Sequence, residues 1–431
     1  MTRTISPLTS YEQRVLDTEL DELMSDLPAL AIEGAKGVGK TETARQRAHT
    51  TYALDAPGEL VVAQADPTRL VTGAAPILID EWQRFPVSWD LVRRAVDAGV
   101  PPGRFLLTGS ATPRDTGTHS GAGRIVQLRM RPLSLHERGL ETATVHLGDL
   151  LAGDQPDLRG HTDATLRDYV AEICESGLPG IRGLGARARR AQLDGYLARI
   201  IDRDFADAGR TVRNPAALRR WMTAYAAATA TTAAYERILD AATAGDGNKP
   251  AKTTTAVYRD VLKRLWILDP VPAWIPSRNP LTRLVAAPQH HLVDPALAVR
   301  LLGADRDALL NLHDDAAAEV RDGTLLGQLF QSLIALDLRV YAQAAAATVS
   351  HMRTRAGERE VDFIVERDDH RVLAVEVKLA HDITDRDVKH LLWLRDEIGD
   401  DLLDAIVIST GDQAYRRKDG IGIVPAALLG P

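Results

Sequence analysis

Between Leu30-Ala31-Ile32, an apolar run that reads as a buried strand, and Glu42 to His49, which reads as a helix, lies Gly34-Ala35-Lys36-Gly37-Val38-Gly39-Lys40-Thr41. The eight residues fit G-x-x-x-x-G-K-T. In that setting the pattern restricts the first part of the chain to an α/β sheet with a phosphate-binding loop at a strand end. Each residue type has a physical task. Glycines let the backbone curl so that several N–H groups point to one place, and the helix N-terminus adds its positive end there. Lys40 brings a full charge to the β- and γ-phosphates, and the Thr41 hydroxyl suits Mg²⁺. The expected nucleotide contacts are therefore Gly34, Ala35, Lys36, Gly37, Val38, Gly39, Lys40, Thr41 and Glu42. A glycine-rich turn can match by chance, so its partners matter.

Those partners follow. Ile77-Leu78-Ile79 reads as a buried parallel strand with Asp80 and Glu81 at its C-terminal end, where open α/β sheets bind ligands. Asp80 is expected in the Mg²⁺ shell and Glu81 as the base that deprotonates the attacking water. The plainer alternative is an acidic helix cap. Arg104 to Ser110 reads as a further strand with Thr108, or Ser110 in reserve, contacting the γ-phosphate; a simple Thr-Gly-Ser turn is the alternative. The polar loop Ser120-Gly121-Ala122-Gly123-Arg124 could bring a guanidinium to a phosphate, its own or a neighbour's, or Arg124 could pair with a surface acid. Leu60-Val61-Val62-Ala63 is expected as the second strand, Ile125 to Leu128 as another.

A chain of 431 residues exceeds one ordinary core, so two or three domains are expected. The formal charge of -7 excludes a global basic field, and any nucleic-acid contact must come from local patches. With one cysteine, Cys174, an intrachain disulfide framework is excluded. The first residues lack the apolar core of a secretory signal, and no apolar run reaches the ~18–20 residues a bilayer requires. A cytoplasmic protein without membrane contact is expected.

The blocks GAKGVGKT, ILIDEWQ, FLLTGS, SGAGR and RMRPLSLHE, in this order over about the first 140 residues, resemble a group of bacterial and archaeal AAA-type ATPases. The resemblance implies a five-stranded AAA core, ATP rather than GTP, and the roles given above. It also implies that a helical and winged-helix region of unknown function follows, to which ESGLPG, Arg199 to Phe205 and HHLVDPAL are similar. A second sensor arginine in a following lid is not evident.

Residues 141–165 read as a loop-like boundary. Helices are expected over 166–174, 186–205, 235–244 and 253–265, then an apolar strand pair, Trp266 to Leu268 and Pro272 to Ile275. That order suits a winged helix. Lys249, Lys252, Arg259, Lys263 and Arg264 on or beside the last helix could meet a DNA backbone, or could be basic surface residues of a plain bundle. The charged end of the helix over 186–205 reads as a solvated face. His290 and His291, on opposite sides of a strand, and Asp294 read as structural.

Near the C-terminus, Val361 to Glu366 and Val372 to Lys378 read as a hairpin around Asp368-Asp369-His370-Arg371. In a strand Glu376 and Lys378 share a face. With Asp362 on the neighbouring strand they resemble the D…E-x-K cluster of restriction-endonuclease-like folds, where Asp362 and Glu376 would hold a second divalent ion and Lys378 would steady the water. His351, Arg353, Arg355 and Arg359 could bind phosphates. Gln331, in the preceding helix, stands where a Glu is expected. A cluster that merely ties two strands together is the alternative.

The expected fold is α/β: a P-loop AAA-type parallel-sheet domain over 1–145, a helical and winged-helix region over 146–310, and a restriction-endonuclease-like domain over 311–431. The expected function is Mg²⁺-dependent ATP hydrolysis coupled to C-terminal modules that bind DNA. An ATP-gated nuclease and a non-hydrolysing ATP switch are the alternatives. Arg124 acting in trans would demand a homo-oligomer.

Overall fold

The computed structural model describes residues 11–110, 122–207, 210, 212, 214–243, 252–276, 286–314, 325–354 and 358–431. Helix α1 (Leu16–Asp26) leads into β1 (Ala29–Glu33), the loop, α2 (Lys40–Arg45) and β2 (Thr50–Ala53). Then come α3 (Pro57–Ala65), β3 (Ile77–Asp80), α4 (Val87–Asp97), β4 (Phe105–Gly109) and β5 (Val126–Arg129). The five strands form one parallel sheet in the order β2-β3-β4-β1-β5. Every residue of β1, β3 and β4 is buried, as expected for central parallel strands covered on both faces. Each such Leu or Ile contributes roughly 1.5–3 kcal/mol through burial.

The expected second strand at Leu60–Ala63 is instead part of α3. Pro57 sits in its first turn with φ already helical. Val61 and Val62 lie on the solvent face, 63% and 39% exposed. Strand β2 is Thr50–Ala53, which pairs with β3 in parallel register.

Residues 141–165 are more ordered than a boundary loop. They include β6 (Val145–His146) and α5 (Leu147–Ala152). The middle region continues with α6 (Leu166–Glu175), α7 (Pro179–Arg182), α8 (Ala186–Arg199), a π turn over Ile200–Asp204 and α9 (Phe205–Asp207). After these come α10 (Pro215–Ala227), α11 (Tyr235–Thr243) and α12 (Lys252–Arg264). Two isolated antiparallel bridges follow, Leu268 to Leu292 and Val271 to Gln289. The expected second strand of that pair, β7 (Ala273–Trp274), joins the C-terminal sheet through β8.

Beyond α13 (Pro295–Leu301) and α14 (Arg306–Asp314), the sequence predicts a helix over Leu325 to Arg339, and α15 (Leu325–Ala344) runs about one turn further. Its apolar spacing and alanines favour continuation. Strands β8 (Thr348–Arg353), β9 (Glu360–Glu366) and β10 (Val372–Lys378), helix α16 (Asp385–Ile398), and β11 (Leu402–Ser409), β12 (Tyr415–Arg416), β13 (Gly422–Pro425) and β14 (Leu429–Gly430) complete the chain. Six of these strands and β7 form a seven-stranded mixed sheet, β12-β13-β11-β10-β9-β8-β7. Leu373, Val375 and Val377 face the core that contains α15, while Val372 and Ala374 face α16, the period of two that a twice-covered strand requires. Strand β14 returns to pair with β6.

The three regions meet at a buried carboxylate. Asp269 is 6% exposed. It takes Arg131 from the end of the first sheet at 2.9 Å, Arg339 from α15 at 2.9 Å and Arg129 of β5 at 3.4 Å. Burial would raise this carboxyl, but the three guanidiniums together hold it far below the ordinary range. Removing it leaves three guanidiniums, one buried and two partly buried, without their shared carboxylate. Asp269→Ala is therefore expected to lose about 3–5 kcal/mol of unfolding free energy, read from chemical denaturation.

Candidate active site

At the C-terminal end of β1 the chain turns through Gly34. A Cβ there would lie 2.2 Å from the Met130 carbonyl oxygen, so only glycine fits. Gly39, φ 106°, caps α2 in the left-handed region, where glycine is unstrained. Behind the loop, Arg14 donates to the Val38 carbonyl at 2.7 Å and to the Arg131 carbonyl at 2.8 Å, and pairs with Glu137 at 2.8 Å. No local pattern marks Arg14 in the sequence, because its partners lie far along the chain.

Lys40 is buried, and its Nζ donates to the Gly34 and Ala35 carbonyls at 2.9 and 2.8 Å. Burial pushes its ammonium down to about 8, against the upward pull of Glu81 and Asp80. This gives a signed pH prediction. Below pH 8 Lys40 carries its charge before a triphosphate arrives. A bound polyanion raises the pKa, so above pH 8 binding must take up a proton. ATP affinity is expected to hold between pH 6.5 and 7.5 and to fall by up to about tenfold per unit above pH 8. Calorimetric titrations in buffers of different ionisation heat would detect the uptake.

Asp80 stands at the end of β3, 4% exposed. The Thr41 hydroxyl from α2 donates to its Oδ1 at 2.8 Å, and the Thr108 hydroxyl from β4 donates to the same oxygen. Three elements thus meet at one carboxylate beside the loop. Glu81 follows with φ 55°, a left-handed conformation that costs a non-glycine residue roughly 1–3 kcal/mol. Its Oε2 accepts from Gln83 at 2.6 Å and from Ser110 at 3.1 Å. Thr108 and Ser110 are thus both used, one on each acid.

Arg124 is not brought to this centre within its own chain. It precedes β5, whose Val126 pairs with Leu30 near the start of β1, and so lies at the opposite edge of the sheet. There it pairs with Asp97 at the end of α4, 2.9 Å away. The residue before a parallel strand sits at that edge by geometry, a signal available from the sequence. Ser120 and Gly121 lie outside the described residues.

In the C-terminal sheet, Lys378 Nζ lies 3.2 Å from Glu376 Oε1, on one face as expected. Asp362 accepts from the Gln331 amide and from the Val377 N–H, both at 2.8 Å. Burial, then the neighbouring Asp362, pushes the Glu376 carboxyl well above its ordinary range. Among the described residues no group of three or more His, Cys, Asp or Glu is arranged to hold a metal ion. Arg353 lies 3.8 Å from Glu360, and Arg359 lies over the Trp393 ring. His351 is buried against the Ala287 carbonyl. Arg355 is outside the described residues.

The cations of α12 divide between partners within the chain and open surface. Arg259 lies over the Tyr235 ring, the exposed Lys252 pairs with Glu236, Lys263 is exposed, and the Arg264 side-chain nitrogens are buried. Lys249 lies outside the described residues. The His290 Nε2–H donates to the Ala233 carbonyl at 2.8 Å, and burial holds the His291 ring down to about 3, hence neutral. Asp294 caps α13 and accepts from Ser176 and Gly177, the structural role expected.

Residues 26–138 match the AAA domain model; 166–308 and 326–429 match two separate domains of unknown function. Uncharacterised proteins of Mycobacterium bovis and Mycobacterium tuberculosis are each 28% identical over 332 residues, 74% of this chain and 66% of theirs. The chain thus spans about two thirds of the length of these relatives. Among solved structures, a Walker-type ATPase of Pyrococcus abyssi is similar over 70% of this chain and 98% of its own, at 14% identity and a TM-score of 0.41. The ORC2 protein of Aeropyrum pernix, in complexes with ADPNP and ADP, is similar over 77% and 98%, at 15% identity and 0.32. No helix among the described residues is long and apolar enough to cross a membrane.

Proposed function

We propose that this chain, which joins an AAA-type ATPase domain to a C-terminal domain of unknown function, binds ATP with Mg²⁺, hydrolyses it, and passes the nucleotide state to the C-terminal sheet. One observation carries the reading: the Thr41 and Thr108 hydroxyls converge on one oxygen of Asp80 beside a glycine-built loop. Thr41 Oγ1 and the Asp80 carboxylate are hard oxygen donors 2.8 Å apart, a set that fits Mg²⁺. Bound there, Mg²⁺ would neutralise charge on the β- and γ-phosphates. Lys40 turns from the Gly34 and Ala35 carbonyls to the phosphates, while N–H groups of residues 34–41 cradle them. Glu81, held by Gln83 and Ser110, orients the attacking water and takes its proton. Thr108, on the next strand, senses the terminal phosphate through Asp80.

Coupling is supported by Asp269. Its arginines link β5, next to the loop strand, to α15 of the C-terminal region. Arg124, at the far edge and paired with Asp97, could serve only a neighbouring copy's nucleotide, a role that would demand a homo-oligomer. Contact with DNA is not favoured through α12, because Arg259 and Lys252 have partners within the chain and the Arg264 side-chain nitrogens are buried, which leaves too few cations for a phosphate-binding stripe. The cluster at Asp362 is read as a strand tie, because the Gln331 amide and the Val377 N–H fasten Asp362 between elements and, among the described residues, no third acid, His or Cys joins it and Glu376 as a metal-holding group. Supercoiled DNA incubated with Mg²⁺ or Mn²⁺ is expected to stay intact with wild type and with Lys378→Ala alike; nicking by wild type alone would favour the ATP-gated nuclease. The ATPase reading is tested by phosphate release from ATP with and without EDTA, expected only without it.

A further inference from the structure

Asp204 is a buried acid that sequence reasoning placed on a solvated face. It is 4% exposed and ends the π turn after α8. Such turns within helices recur at functional sites. Its Oδ1 takes Lys36 Nζ, from the apex of the phosphate loop, at 2.5 Å. Arg199 Nε, half-exposed, lies 3.7 Å from the same oxygen. One turn earlier, Tyr196 donates to the Lys36 carbonyl at 3.1 Å. Helix α8 is thereby fastened to the loop by main chain and side chain. Between them is a cavity of about 340 Å³, lined by Lys36, Gly37, Gln192, Tyr196, Arg199 and Asp204 among others.

We infer that Arg199 and Lys36 form a pair that distinguishes ATP from ADP, and that Asp204 holds both until a terminal phosphate replaces it. This rests on the ATPase reading given above. Two anions, the Asp204 carboxylate and the terminal phosphate, compete for two cations. A triphosphate in the loop brings its terminal oxygens towards the apex residues. Its charge repels Asp204 and attracts Lys36 and Arg199, whose contacts with phosphate are charge-assisted. A diphosphate lacks the terminal group and leaves the Asp204 pairs in place. Exchange of partners would loosen the π turn from the loop, so the helical region reads the terminal phosphate through Asp204. Asp204 is a positioning residue here, acting through the two cations.

The test is to titrate ATP and ADP, with Mg²⁺, into wild type, Arg199→Ala, Arg199→Lys and Asp204→Asn, with Lys40→Ala alongside. Arg199 is half-exposed and Asn matches Asp in shape, so the folds should persist; thermal melting checks this. Arg199→Ala is expected to weaken ATP about tenfold and ADP by less than about twofold, with partial recovery in Arg199→Lys. Asp204→Asn, freed of its competing charge, is expected to bind ATP about threefold to tenfold more tightly, with ADP unchanged. Equal losses for ATP and ADP in Arg199→Ala, or no tightening in Asp204→Asn, overturn the assignment while Lys40→Ala still shows lost binding. Equal binding by Lys40→Ala and its parent overturns the ATPase reading as well.

Discussion

Lys40→Ala is expected to weaken ATP binding by at least about 100-fold and to stop phosphate release. The ammonium lies within reach of the loop's own carbonyls, 2.9 and 2.8 Å away, and is the cation placed at the centre of the loop. Each charge-assisted hydrogen bond to phosphate is worth about 1.5–3 kcal/mol. Loss of two such bonds corresponds to roughly 3–6 kcal/mol, more than 100-fold in affinity. Calorimetric titration with ATP measures it. The loss should not come from unfolding. Burial already holds Lys40 down to about 8, so keeping it charged opposes folding at neutral pH, and alanine removes that burden. An unchanged far-ultraviolet dichroism spectrum would accompany the lost affinity.

Glu81→Gln is expected to separate binding from chemistry. The amide is the same size and keeps an oxygen that can accept from Ser110, so the turn at φ 55° need not change. It cannot take a proton from water. General-base assistance is worth about 10²–10⁴ in rate, and turnover should fall by that factor while ATP affinity stays within about threefold. Single-turnover phosphate release measures the first quantity, and competition with a fluorescent nucleotide the second. A non-hydrolysing switch would show no change in either.

What could be read from the sequence followed the range of the interaction. The loop at Gly34–Thr41 and the acids Asp80 and Glu81 are set by spacing within one strand and turn, and three elements then deliver them to one point. Glu376 and Lys378 share a face because a strand has period two. Leu60 to Ala63 misled because β-branched residues suggest a strand, whereas Pro57 and an open surface let them sit on a helix. Arg124 was placed by motif order, which says nothing of which sheet edge it reaches. Asp204 pairs with Lys36 across 168 positions, and Asp269 gathers arginines from three segments. Such partnerships arise only once the chain has folded, and the local charge pattern around Asp204 reads as solvated surface.

Asp80 is where the account is most exposed, and phosphate release by Asp80→Asn is the measurement that tests it most directly. Asparagine can keep the hydrogen bonds from Thr41 and Thr108 but lacks the charge that Mg²⁺ requires. The account predicts Mg²⁺-dependent release by wild type and, for Asp80→Asn at saturating ATP, a rate lower by at least about 100-fold. Release at the parent rate by Asp80→Asn, or wild-type release that persists in EDTA, would contradict it.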